Sequence, residues 1–213
     1  MESENNSASE TVETQSSEGE YSCSQDASDD NQITSGSSVT EKPLLEEYHC
    51  DESHDINVGM GKYAVIKEGC KLMTMGIGSC IATLIYDSVA KVYGMAHIML
   101  PFQGDFSRKT QNANKYADVG IRNMIHDMEE LGAKRGNMKA KIAGGAHMFP
   151  SLEEHPNSVN RKNAEAVRQV LAEEGIKIVA EDIGGNSGRT IIFNIEDEEF
   201  KVIVKSEHIE RIL

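Results

Sequence analysis

The chain has 213 residues, with 35 acidic against 21 basic side chains, a formal net charge of −14 and no tryptophan. Residues 1 to 55 hold fifteen Asp or Glu and one Lys, whereas the rest is balanced at twenty acidic and twenty basic residues, so the whole net charge sits in the N-terminal quarter. With no Arg/Lys stripe and no apolar run near the roughly 20 residues that cross a bilayer, the sequence argues against nucleic-acid binding and membrane insertion, and reads as soluble and cytoplasmic.

Residues 1–55 are rich in Ser, Glu, Asp, Asn, Gln and Thr, and their few apolar residues lack a helical or alternating period. This composition predicts a disordered acidic tail, either an interaction arm or a solvated leader, followed by one folded domain over 56–213. The four cysteines, Cys23, Cys50, Cys70 and Cys80, form no Cys-x-x-Cys pair. Neither a disulfide framework nor a metal site is expected, and no cofactor motif is present.

In chain order, β-branched and aromatic clusters predict strands over Tyr63 to Ile66 and Lys71 to Met75. A glycine turn over Gly76-Ile77-Gly78-Ser79 then leads into a strand from Cys80 to Tyr86, a turn over 87–90, and a strand from Lys91 to Met99. The stretch Gln103 to Lys115 is polar and reads as a surface loop. Ile121, Met124, Ile125, Met128 and Leu131 recur at helical spacing, with Gly132 as the stop signal. Lys139 to Ala143 predicts a strand entering the Gly144-Gly145 turn, and Asn163 to Glu174 a second helix stopped by Gly175. Strands over Lys177 to Asp182, Thr190 to Ile195 and Phe200 to Lys205 complete the pattern. The expected fold class is α+β: a mixed β-sandwich flanked by about two long helices.

Within this pattern, Cys80 and His97 carry the chemistry. A turn centred between residues 88 and 89 places them opposite each other in a hairpin. A thiol beside an imidazole and a glycine turn has the parts of a nucleophile, its base and an oxyanion-binding backbone, the last from Gly76, Gly78 and Ser79. Thr74, on the strand entering the turn, is placed to orient the imidazole. His147, beside Gly144 and Gly145, is the competing base. Against this stands the plainer reading, in which Cys80 is a small core residue and His97 a buried one.

Six blocks, in order, resemble the CheD family of chemoreceptor glutamine deamidases: Gly76 to Cys80, Val89 to Val92, Gly94 to Pro101, Lys115 to Asp118, Lys141 to Ala146 and Ala180 to Asn186. The resemblance implies that Cys80, His97 and Thr74 are the catalytic residues, with His97 rather than His147 as base. It further implies a fold like that of the deamidating toxin-type cysteine hydrolases, methyl-accepting chemoreceptors as substrate, and a CheC-like phosphatase as partner. A regulatory binding module for that phosphatase, with little catalysis, is the alternative. The chain departs from the family at Ser88, at Tyr93, and at Lys162, where the family usually has Arg before Asn163.

Overall fold

The computed structural model describes residues 55–67, 71–106, 111–148 and 157–213. Cys23, Cys50, Cys70 and the acidic tail up to residue 54 lie outside the described residues, so the tail's predicted disorder is an expectation only. Among the described residues there are ten strands: β1 (Ile56–Asn57), β2 (Tyr63–Lys67), β3 (Lys71–Ile77), β4 (Ile81–Asp87), β5 (Val92–Ile98), β6 (Lys139–Gly144), β7 (Lys177–Ile183), β8 (Arg189–Asn194), β9 (Glu199–Val204) and β10 (Ile209–Ile212). Two long helices accompany them, α1 (Ala117–Glu130) and α2 (Val159–Glu173). The strands form two five-stranded sheets, ordered β1-β3-β8-β9-β10 and β2-β5-β4-β6-β7.

The second sheet is buried on both faces, and its sequence shows why. In β4 every residue from Ile81 to Asp87 is buried. Alternation sends Ile81 and Ile85 to one side and Ala82, Leu84 and Tyr86 to the other. The first side packs against Ile121, Met124, Ile125 and Met128 of α1 and Val167, Val170 and Leu171 of α2. The opposite side packs against Leu72, Ile191, Phe193, Phe200 and Val202 of the first sheet. The layers therefore run sheet, sheet, helices, and each large apolar side chain so enclosed contributes roughly 1.5–3 kcal/mol.

Three differences from expectation matter for the site. The β4–β5 hairpin pairs Ile81 with Ile98, Ala82 with His97 and Asp87 with Val92, so His97 faces Ala82 and not Cys80. The cause is local. Asp87 ends the strand, its carboxylate accepting from the Val89, Ala90 and Lys134 N–H groups, and Lys91 adopts a left-handed conformation (φ 53°). That extra turn residue moves the centre of the hairpin on by one. Burial pushes the Asp87 carboxyl up, but the hydrogen bonds outweigh it and its pKa is lowered, so the turn is held by a carboxylate.

The second difference is α2, which begins at Val159 rather than near Asn163. Its first turn is polar in sequence yet buries Asn160 and Asn163 on the stripe shared with Ala164 and Val167. Lys162, one residue from Asn163, is exposed. Strand β3 also runs two residues further than its sequence suggests, through a register shift between Thr74 and Ile77 that absorbs Gly76 at φ 72°.

Candidate active site

The chain crosses from the first sheet to the second between β3 and β4, and Cys80 sits at that corner. Thr74 stands on β3 in the first sheet, His97 on β5 in the second, and both are completely buried. Strand parity puts His97 on the same face as Tyr93 and Met95, which pack between the sheets. Thr74 reaches it there: its Oγ1 lies 2.9 Å from His97 Nδ1. The Thr74–His97 contact thus spans the two sheets.

The direction of that hydrogen bond follows from proton counting. Thr74 Oγ1 is also 2.8 Å from the Val58 carbonyl oxygen, which can only accept. A hydroxyl has one proton, so Thr74 donates to Val58 and accepts from His97 Nδ1–H. The imidazole proton is thereby placed on Nδ1, and the lone pair on Nε2. Nε2 is buried and has no partner among the described residues. Burial lowers the His97 pKa to about 4, so at neutral pH the ring is an uncharged base.

Cys80 is half-buried and packs against the inter-sheet core. It precedes Ala82, the partner of His97, by two residues on the same side, a diagonal relation that spans on the order of 7 Å between backbones and lies within side-chain reach. Among the described residues no hydrogen bond joins the two side chains in this resting arrangement. Burial, the largest influence, pushes the thiol pKa up, while the Cys80 N–H and the Ser79 hydroxyl pull it down, and the net shift is upward. The upward shift of the thiol and the downward shift of the imidazole leave both groups uncharged at neutral pH.

Backbone stitching holds the corner. Gly145 N–H donates to the Cys80 carbonyl (2.9 Å) and Ala146 N–H to the Gly78 carbonyl (2.8 Å). Gly144 has φ 131°, and a Cβ there would stand 2.2 Å from the Cys80 carbonyl oxygen, so only glycine fits. The buried Arg189 guanidinium donates to the Gly144 carbonyl (2.7 Å) and pairs with Asp182 (3.0 Å), anchoring the glycine turn from behind. Met148, exposed, lies over Gly78, where a methyl group would come within 3.0 Å of it.

Of the sequence-predicted residues, Thr74 and His97 meet through a hydrogen bond, Cys80 stands two residues before the strand partner of His97, and the Ser79 hydroxyl reaches Cys80. Of the predicted oxyanion glycines, Gly78 spends its carbonyl on Ala146 and Gly76 lies within the strand. The N–H aimed at the sulfur is Cys80's own. His147 lies on the adjacent glycine segment, its backbone N–H donating to Gly185, and among the described residues no hydrogen bond orients its ring. Sequence reasoning missed Val58, whose contribution is a main-chain carbonyl, and Asn163, whose only signal is an amide on the apolar stripe of a helix.

The chain matches the family model described as "CheD chemotactic sensory transduction" over residues 99–206. That match begins beyond Thr74, Cys80 and His97. The chain is 44% identical over 139 residues to the "Chemoreceptor glutamine deamidase CheD" of Thermotoga maritima, spanning 65% of this chain and 85% of that protein. It is 43% identical over 144 residues to the "Probable chemoreceptor glutamine deamidase CheD" of Moorella thermoacetica (67% and 86%). It is 41% identical over 148 residues to the "Chemoreceptor glutamine deamidase CheD" of Halalkalibacterium halodurans (69% and 91%).

Proposed function

The chain belongs to the CheD family, and from that premise we propose that it is a protein-glutamine glutaminase acting on methyl-accepting chemoreceptors. It converts the side-chain amide of selected receptor glutamines to glutamate and releases ammonia, with Cys80 as nucleophile, His97 as base and Thr74 as the residue that orients it. The reaction is placed in the cytoplasm, needs no metal or cofactor, and belongs to the domain that follows the acidic tail.

The observation that carries this reading is the proton-ordered line from Val58 through Thr74 to His97, which leaves a buried Nε2 lone pair. Nε2 takes the Cys80 thiol proton as sulfur bonds to the amide carbon. The amide oxygen becomes an oxyanion, received by the Cys80 N–H at the corner shaped by Gly76, Gly78 and Ser79. Imidazolium returns the proton to the nitrogen as the carbon–nitrogen bond breaks, so ammonia leaves and a thioester remains. Water, deprotonated by Nε2, then attacks the thioester carbon and releases glutamate, and the proton returns to sulfur.

The test is mass spectrometry of a receptor co-expressed with this chain. Wild-type protein is expected to convert particular glutamines to glutamates, with loss by 10²-fold or more in a Cys80→Ala protein. Undiminished conversion by Cys80→Ala sinks the assignment. The family resemblance adds a CheC-like phosphatase as partner, checked by co-purification with a phosphatase of that type.

A further inference from the structure

Helix α2 is not part of the corner, yet two of its side chains reach into it. Asn160 Nδ2 donates to the Gly145 carbonyl (3.3 Å), the residue whose N–H holds the Cys80 carbonyl. Asn163, completely buried, donates from Nδ2 to two carbonyls at once: Ser79 (2.9 Å) and Met99 (2.9 Å). The Ser79 carbonyl belongs to the same peptide unit as the Cys80 N–H. In a planar trans peptide the two point in opposite directions, so whatever holds the carbonyl aims the N–H. Met99, the other acceptor, is two residues beyond His97 on the same strand direction.

We propose that Asn163 is a positioning residue that fixes the Ser79–Cys80 peptide with its N–H held at the Cys80 sulfur, beside which the oxyanion would form, and ties that peptide to the strand carrying His97. This role rests on the assignment of Cys80 as nucleophile. The remaining atom of the amide supports it. Asn163 Oδ1 is buried with no partner among the described residues, and a buried acceptor left without a donor is destabilising. An amide placed for stability alone would have both ends paired; this one carries a cost while its donor holds two carbonyls on either side of the site. An apolar residue on the α2 stripe would pack without that cost, but would leave the Ser79 peptide free to turn over and the oxyanion without its donor.

The test uses Asn163→Leu, which keeps the shape and loses the donor, and Asn163→Ala, which loses both. Thermal unfolding is measured alongside, and rates are expressed per folded molecule. Two readouts are taken: receptor deamidation, and alkylation of Cys80 at pH 8 followed on its own peptide by mass spectrometry. Both variants are expected to lose kcat by about 10²-fold, the loss from removing one oxyanion donor, with KM for the receptor within about threefold. Alkylation of Cys80 is expected to slow by up to about tenfold, because the misaimed N–H no longer favours the thiolate. A folded Asn163→Leu protein with wild-type kcat and wild-type alkylation overturns the proposal. Should wild-type protein deamidate no receptor, the functional reading falls while the alkylation comparison still decides the role of Asn163.

Discussion

In the proposed reaction His97 is the base, and its buried environment makes a pH prediction. A buried ring with its pKa lowered to about 4 stays neutral where the unfolded chain, at the ordinary 6.5, is already protonated. Between those values the unfolded state binds more protons, so stability falls as pH drops from about 6.5 to about 4, and the loss is complete below that. The full shift corresponds to about 3 kcal/mol. Replacing His97 with Gln removes this contribution, so between pH 7 and pH 4 the wild-type unfolding free energy is expected to decline by up to that much more than the variant's. Chemical denaturation across that range checks it; parallel curves would mean that burial does not hold the imidazole neutral. Activity is expected to persist down to the same low pH, because Nε2 keeps its lone pair until His97 protonates.

The residues of this site differ in how visible they are in sequence. Cys80, His97 and Thr74 are legible because their side chains are of types that can carry the proposed chemistry and lie near one another along the chain. The Val58 carbonyl that orders the Thr74 proton is invisible, since every residue has one. Asn163 lies 83 positions beyond Cys80, and no local pattern links it to the Ser79 peptide.

At the scale of elements, strand existence followed from alternation and glycine stops, while register depended on single residues. Placing Cys80 opposite His97 required a turn centred one position earlier; the Asp87 carboxylate and the left-handed Lys91 moved it. Strands β1 and β10 escaped because two residues and four residues are too short for a period to declare itself. The α2 start was misplaced because its first turn is polar where a helix entering a core is expected to be apolar. The end of β6 allows a sharper test of how elements fix the site. At Gly144 the left-handed backbone and the Cys80 carbonyl together exclude a side chain. Gly144→Ala is expected to cost at least about 2 kcal/mol in denaturant unfolding, from the strained φ alone, and to lower the activity of the molecules that remain folded because the Cys80 carbonyl must move. A substitution without effect on either measure would show that β6 does not brace the corner.

Across the folded region, the proposed site depends on how two sheets are docked, because the residue proposed to orient the base and the base itself come from different ones. Thr74 projects from the first sheet and His97 from the second, and their hydrogen bond shares the interlayer space with Leu72, Phe193 and Met95. The helix layer, on the far side of the second sheet, supports that sheet without setting its spacing from the first. Cavities in the two cores should therefore have similar thermodynamic and different catalytic consequences. Leu72 and Ile125 are both completely buried, the first between the sheets two residues from Thr74, the second on the face of α1 that packs on the second sheet. Truncating either to Ala is expected to cost about 2–5 kcal/mol. Leu72→Ala should in addition lower kcat per folded molecule, because relaxation into the cavity shifts β3 against β5 and slackens the Thr74–His97 contact that places the imidazole proton. Ile125→Ala should leave kcat per folded molecule within about twofold of wild type, since its cavity opens in the helix-side core and not in the core between the sheets that holds Thr74 and His97. Unfolding free energies measured beside receptor deamidation rates separate the two effects. Equal catalytic losses would mean that overall stability, rather than the docking of the sheets, governs the site.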